Sequence, residues 1–167
     1  MQNSTIFSGA ARFFRMICLK LSRINNAPVL SILGAIFFFI LMRAHLLGLP
    51  LMRDEGEYAY SAWLFRHDIA PYQHAFLQKP PMIIYTYALA QLISPVIYWI
   101  PKLIDYSFVA CATILLGIIA QLEFGGAAGF IAAWVFILMV LLPGAAQSAA
   151  VIEHFMLLPL LAILAIY

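Results

Sequence analysis

The sequence predicts an all-α integral membrane protein with about four transmembrane helices, an extracytoplasmic loop carrying juxtamembrane helices, and a carboxy-terminal end that reads as truncated. Three observations predict it. The 167 residues are 65% apolar, with a mean hydropathy of +0.99. Only 10% are charged, against about 25% in soluble domains. The charges are also gathered: Arg53, Asp54, Glu55, Glu57, Arg66, Asp68 and Lys79 fall in one stretch between long apolar runs. A net charge of +2, dispersed along the chain, argues against a nucleic-acid partner.

Residues 1–27 hold Arg12, Arg15, Lys20 and Arg23 and no acid. Positive residues beside a first span favour the cytoplasmic side, so this basic segment is expected inside. The first span is expected at 28–49, with Pro28 suited to the first helical turn and Arg43 and His45 near its outer end. The run is long for a signal peptide, and no small-residue cleavage site follows it. Cys18 and Cys111 lie in unrelated contexts and predict neither a disulfide nor a metal site.

Three further uncharged runs follow, at 82–101, 106–122 and 124–142. If Asp54 and Glu153 serve one site, an even number of crossings must separate them, so one run does not span. The run 82–101 is the expected exception: Pro95 interrupts it, and Gln91, Tyr85, Tyr87, Tyr98 and Trp99 suit the headgroup region. The crossings are then 106–122 and 127–142, with Gly125-Gly126 as the inner turn and Pro143-Gly144 as a break. The first outer loop is about 50–105. The last run, 154–167, stops mid-helix and is too short to be a complete span. Residues 28–167 therefore read as the amino-terminal part of a longer membrane domain.

The charged stretch is where chemistry is expected, because an ionised side chain within the hydrocarbon costs about 2.5–3.5 kcal/mol even on the lenient insertion scale. Asp54 followed by Glu57 reads as a helix start, with Asp54 capping free amides. Tyr58, Ala62 and Phe65 share one face of that helix, which is expected to lie along the interface and to end at Ala70-Pro71-Tyr72.

RDEGEYAY at 53–60, PYQHAF at 71–76 and QKPP at 78–81 together resemble the first extracytoplasmic loop of membrane-embedded C-type glycosyltransferases. The nearest branch is that of the protein O-mannosyltransferases and aminoarabinose transferases. EHFMLLPLLA at 153–162 resembles the segment that opens their second outer loop and the helix after it. The resemblance implies an inverting transferase of the cytoplasmic (inner) membrane. Such an enzyme moves a sugar from a polyprenyl-phosphate carrier to a lipid, glycan or protein acceptor on the outer side. It implies Asp54 as the base that takes the acceptor proton, Glu55 as its partner, Lys79 as the cation that holds the carrier phosphate, and Glu153 as a second-loop acid near the first. Tyr58 and His74 complete the candidate substrate-binding set.

The chain departs from the family pattern in three places. Glu57 replaces an arginine and removes a possible second phosphate contact. Gln78 replaces a glutamate, and His74 stands where an acid is common.

The residue types suit the reaction on their own terms. A lipid-linked sugar phosphate carries its own leaving group, so the protein need supply only a base at the acceptor hydroxyl and a cation at the departing phosphate. Each residue also has a plainer role: Asp54 as a helix cap, Lys79 as a snorkelling anchor, Tyr58 as interfacial packing, and Glu153 as a loop acid. His45, His67 and His74 have no metal-ligand spacing, so no metal and no cofactor beyond the donor lipid is expected. Two other classes remain open: a catalytically incomplete fragment acting as a lipid-binding or partner subunit, and a piece of a transporter or channel.

Overall fold

The computed structural model describes residues 26–75, 77–94, 96, 98–125, 127–142 and 152–166, except for the side chains of 26–28 and 166. Residues 1–25, with the basic segment's four cations, and the Pro143-Gly144 break lie outside the described residues. Among the described residues every element is helical. They are α1 (Asn26–Arg43), continued by a 3-10 turn (Ala44–Gly48), α2 (Arg53–Arg66), α3 (Pro81–Ile93), α4 (Trp99–Phe124), α5 (Ala128–Val140) and α6 (Ile152–Ile166).

Among the described residues two stretches, Val29–Gly48 and Trp99–Phe124, are long and apolar enough to cross a membrane. With 13 to 15 residues, α3, α5 and α6 are apolar but shorter than the roughly 20 residues a straight crossing needs. On α1, Ile32, Ala35, Ile36, Phe39 and Arg43 form a buried stripe at helical spacing. Leu30, Leu33, Phe37, Ile40 and Leu41 are exposed on its other side. A helix that is apolar all round and covered on only one face leaves greasy surface that water disfavours.

α1, α4 and α5 enclose one core, built from Ile32, Ala35, Ile36, Phe39, Tyr106, Val109, Ala133, Ile137 and Val140. Trp134 Nε1 donates to Ser31 Oγ at 3.0 Å and ties α5 to α1. Small residues set the α4–α5 spacing. A Cβ built on Gly129 would meet the backbone carbonyl oxygen of Gly117 at 2.7 Å, so at 129 only glycine lets these backbones approach so closely. Gly125 ends α4 at φ 64 and ψ −164, a conformation nearly confined to glycine. This is the turn expected at Gly125-Gly126, of which Gly125 is described.

A second cluster joins α2, α3 and the start of α6 through Tyr58, Ala62, Leu77, Ile83, Ile84, Tyr87, Ala88, Ile152 and Phe155. Helix α3 ends at Ile93, with Ser94 extended immediately before Pro95, as the steric demand of a proline ring on its predecessor requires. The chain therefore breaks inside the run 82–101, where Pro95 was expected to interrupt it. Two expectations need correcting. Tyr87 is fully buried against Tyr58, with ring centroids 5.6 Å apart, and is not a headgroup-facing residue. The segment 99–105 belongs to α4 and not to the loop: 26 residues run as one helix about 39 Å long.

Candidate functional site

The site is built on α2. Its first turn carries Asp54 and Glu55, whose negative charge suits the positive end of a helix. The reciprocal cap comes from Glu55: Met52 N–H donates to its Oε2 at 2.7 Å. Asp54 stands second in the helix and exposed, so the capping role expected of it belongs to its neighbour. The helix closes at Arg66, earlier than Ala70-Pro71-Tyr72. Ile69 N–H donates to Leu64 O and Asp68 N–H to Phe65 O, with Asp68 left-handed at φ 61. That pattern is a Schellman closure, and aspartate is among the few side chains that tolerate it.

The inward face of α2 is Glu55, Tyr58, Ser61, Ala62 and Leu64, with Phe65 exposed instead of sharing the face of Tyr58 and Ala62. Gln91 Nε2 donates to Ala59 O at 2.7 Å, and Arg66 Nη1 donates to Gln91 O at 3.0 Å, fastening α2 to α3. In the connecting loop Tyr72 adopts φ 70, and its hydroxyl donates to Lys79 O at 2.6 Å. That bond fixes the backbone just before Pro80-Pro81, so the Lys79 side chain leaves the loop from a defined point.

Lys79 Nζ lies 3.6 Å from Glu153 Oε1. The loop before α3 and the first turn of α6 therefore meet. Tyr58 sits beneath them. Burial, and then the nearby carboxylates of Asp54, Glu153, Glu57 and Glu55, push its hydroxyl up to about 12 from 10.0. One buried phenol thus senses acids from α2 and α6 together. Lys79 and Glu153 meet, and the carboxylates of Asp54, Glu55, Glu57 and Glu153 all bear on Tyr58. His74 is apart: it is exposed in the loop, and among the described residues no hydrogen bond or ion pair joins it to the cluster.

Below the cluster lies a polar layer that sequence reasoning missed. Arg43, Glu55, Lys102, Asp105 and His154 are all buried, from α1, α2, α4 and α6. Lys102 Nζ donates to Leu46 O at 2.8 Å, Leu49 O at 2.6 Å and Pro50 O at 3.4 Å, closing the end of the 3-10 turn after α1. Tyr106 donates its hydroxyl to Arg43 O at 2.7 Å. His154 Nδ1 lies 2.9 Å from Asp105 Oδ1 and 3.2 Å from Oδ2. The available signal was spacing. Lys102, Asp105, Tyr106, Val109, Ala112 and Thr113 recur at three and four residues, one inward face of a helix, whereas the charged pair reads locally as a loop between two apolar runs.

Among the described residues no group of three or more histidine, cysteine, aspartate or glutamate side chains is arranged to hold a metal ion. His67 is engaged locally, with Nδ1 2.8 Å from Trp63 O and its ring 4.2 Å from the Trp63 ring. Chemically, the cluster offers a base, a cation and a rim of apolar helices. Compared with known proteins, the chain matches no family model, no curated protein and no solved structure.

Proposed function

We propose that the chain is a membrane module of an inverting glycosyltransferase that uses a polyprenyl-phosphate sugar, with its site on the outer face of the cytoplasmic membrane. The observation that carries this reading is the Lys79–Glu153 contact, with Glu153 and Asp54 both bearing on Tyr58 by their charge. It sets a cation next to carboxylates at the lip of an apolar bundle, the pairing a lipid-linked phosphate and a hydroxyl acceptor call for. The resemblance of RDEGEYAY and QKPP to the first loop of C-type glycosyltransferases supports the same reading.

In this reading α1, α4, α5 and α6 cross the membrane, α1 outward from a cytoplasmic amino terminus, and α2 and α3 rest at the outer interface. Contact between residues 79 and 153 supports that topology, since two groups on one side require an even number of crossings between them, and α4 and α5 supply two.

Asp54 takes the proton of the acceptor hydroxyl as its oxygen attacks the anomeric carbon. The bond from that carbon to the phosphate oxygen breaks, and the electron pair leaves on polyprenyl phosphate, with inversion. Lys79 meets the growing phosphate charge as a point charge. Its present partner is easily exchanged. With Glu153 68% and Lys79 36% exposed, such an ion pair contributes about 0–1 kcal/mol, so an arriving phosphate displaces the carboxylate at small cost.

The transporter reading has the buried charged layer in its favour. That layer, however, lies where α1 ends and α4 begins, and Lys102 is saturated by three carbonyls, leaving little capacity to relay an ion.

The test is to follow consumption of a panel of polyprenyl-phosphate sugars by membranes carrying the protein. One carrier sugar is expected to be consumed, and Asp54→Asn to slow transfer by about 10²–10⁴-fold, the range of a lost general base. Normal turnover by Asp54→Asn counts against the assigned base.

A further inference from the structure

The first turn of α6 presents four consecutive residues in different directions. Ile152, His154 and Phe155 are buried, and Glu153 between them is exposed. Ile152 and Phe155 enter the apolar cluster of α2 and α3, and the Phe155 ring meets Phe108 of α4 edge-on at 5.1 Å. Apolar contacts of this kind hold the helix close, but they tolerate rotation about its axis because burial is non-directional. The His154–Asp105 bond is directional, and both partners are nearly sealed from solvent, with side chains 5% and 0% exposed. One proton is shared between Nδ1 and the carboxyl, and the line between them fixes the direction of the ring. The bond runs between α6 and α4 one residue from Glu153, the acid that meets Lys79.

We propose that His154, anchored on Asp105, is the positioning residue that sets the rotation of α6 and so aims Glu153 at Lys79. The inference rests on the functional reading for its purpose, but the geometry it asserts stands without it. Breaking the buried bond frees the helix to turn by a fraction of a residue, and Glu153 then swings away from the ammonium while the apolar contacts persist. Asp105 is carried by the long helix α4, which packs against α1 and α5 as well as α6, so the acid keeps its place when the histidine is removed. The movement is therefore assigned to α6.

The test is cross-linking in the full chain in membranes, with the native cysteines replaced by serine and cysteines placed at 79 and 153. That placement removes the surface ion pair and leaves the buried bond to hold the register. His154→Leu is expected to lower the rate of cross-linking by a short bifunctional reagent about tenfold, since a displacement near 1 Å has effects of that size or larger. His154→Asn, whose side-chain amide reaches the place of Nδ1 and can donate or accept, is expected to stay within about twofold of the parent.

A control pair at 31 and 134, where Trp134 Nε1 meets Ser31 Oγ, reports the α1–α5 core and is expected to be unchanged in every variant. The proposal is overturned if His154→Leu cross-links at the parent rate, or if His154→Asn falls as far as His154→Leu. Loss of the control link along with the site link overturns it too, because the bond then supports the whole bundle and not the setting of one helix. Because cross-linking needs no turnover, a failed sugar-transfer assay leaves this result standing, and a failed cross-link leaves the transfer assay standing.

Discussion

The α1–α4–α5 core and the cap formed by α2, α3 and the start of α6 are joined through the same long helix, yet they are held together by opposite means. The core closes by shape: Gly117 and Gly129 bring two backbones together, and aliphatic side chains fill what remains. The cap closes by valence: Lys102 satisfies carbonyls of the segment after α1, Glu55 caps α2, Gln91 bonds α2 from α3, and His154 bonds Asp105. Apolar packing tolerates many substitutions of similar volume. A buried charge tolerates few, because its partner is left in low dielectric without compensation. Position in the fold therefore predicts fragility less well than the kind of contact made.

Two substitutions sharpen that contrast. Lys102→Met keeps most of the side-chain volume but strips three carbonyls of their donor. It should destabilise the protein by about 1–3 kcal/mol or more, the cost of leaving buried carbonyls without a donor. Thermal unfolding in detergent checks it, and a loss under about 1 kcal/mol would mean that water reaches the layer. Gly129→Val forces a Cβ onto the Gly117 carbonyl and should cost about 1–3 kcal/mol through overpacking. Its effect should appear as loss of the α1–α5 cross-link at 31 and 134 before the 79–153 link is lost. The reverse order would show that core and cap are not separable.

How much of this was legible in the sequence follows the same division. The apolar runs announced the helices, Pro95 announced the break after α3, and the glycines at 125 and 126 announced a turn, because each is a local steric or hydropathic effect. The resemblance of their motifs implies that Asp54, Lys79 and Glu153 share a site; of the three, the geometry pairs Lys79 with Glu153, and Asp54 and Glu153 are linked through their charges at Tyr58. The pairing of Asp105 with His154 was not legible, since the two lie 49 positions apart and each looks like an ordinary charge at the edge of an apolar run. The cap of α2 was misassigned by one residue. Asp54 and Glu55 are both acids in a first turn, and only the backbone direction at Met52 decides which carboxylate reaches back. His74 was chosen by motif alone and stands exposed in the loop.

The central claim, that Lys79 is held ready for a lipid-linked phosphate, is tested most directly by measuring binding of a polyprenyl phosphate without sugar to the protein in detergent micelles. The account predicts that Lys79→Ala weakens this binding about tenfold or more, the scale of one lost charge-assisted contact, while Asp54→Asn binds as the parent does. Equal binding by the parent and Lys79→Ala would contradict it.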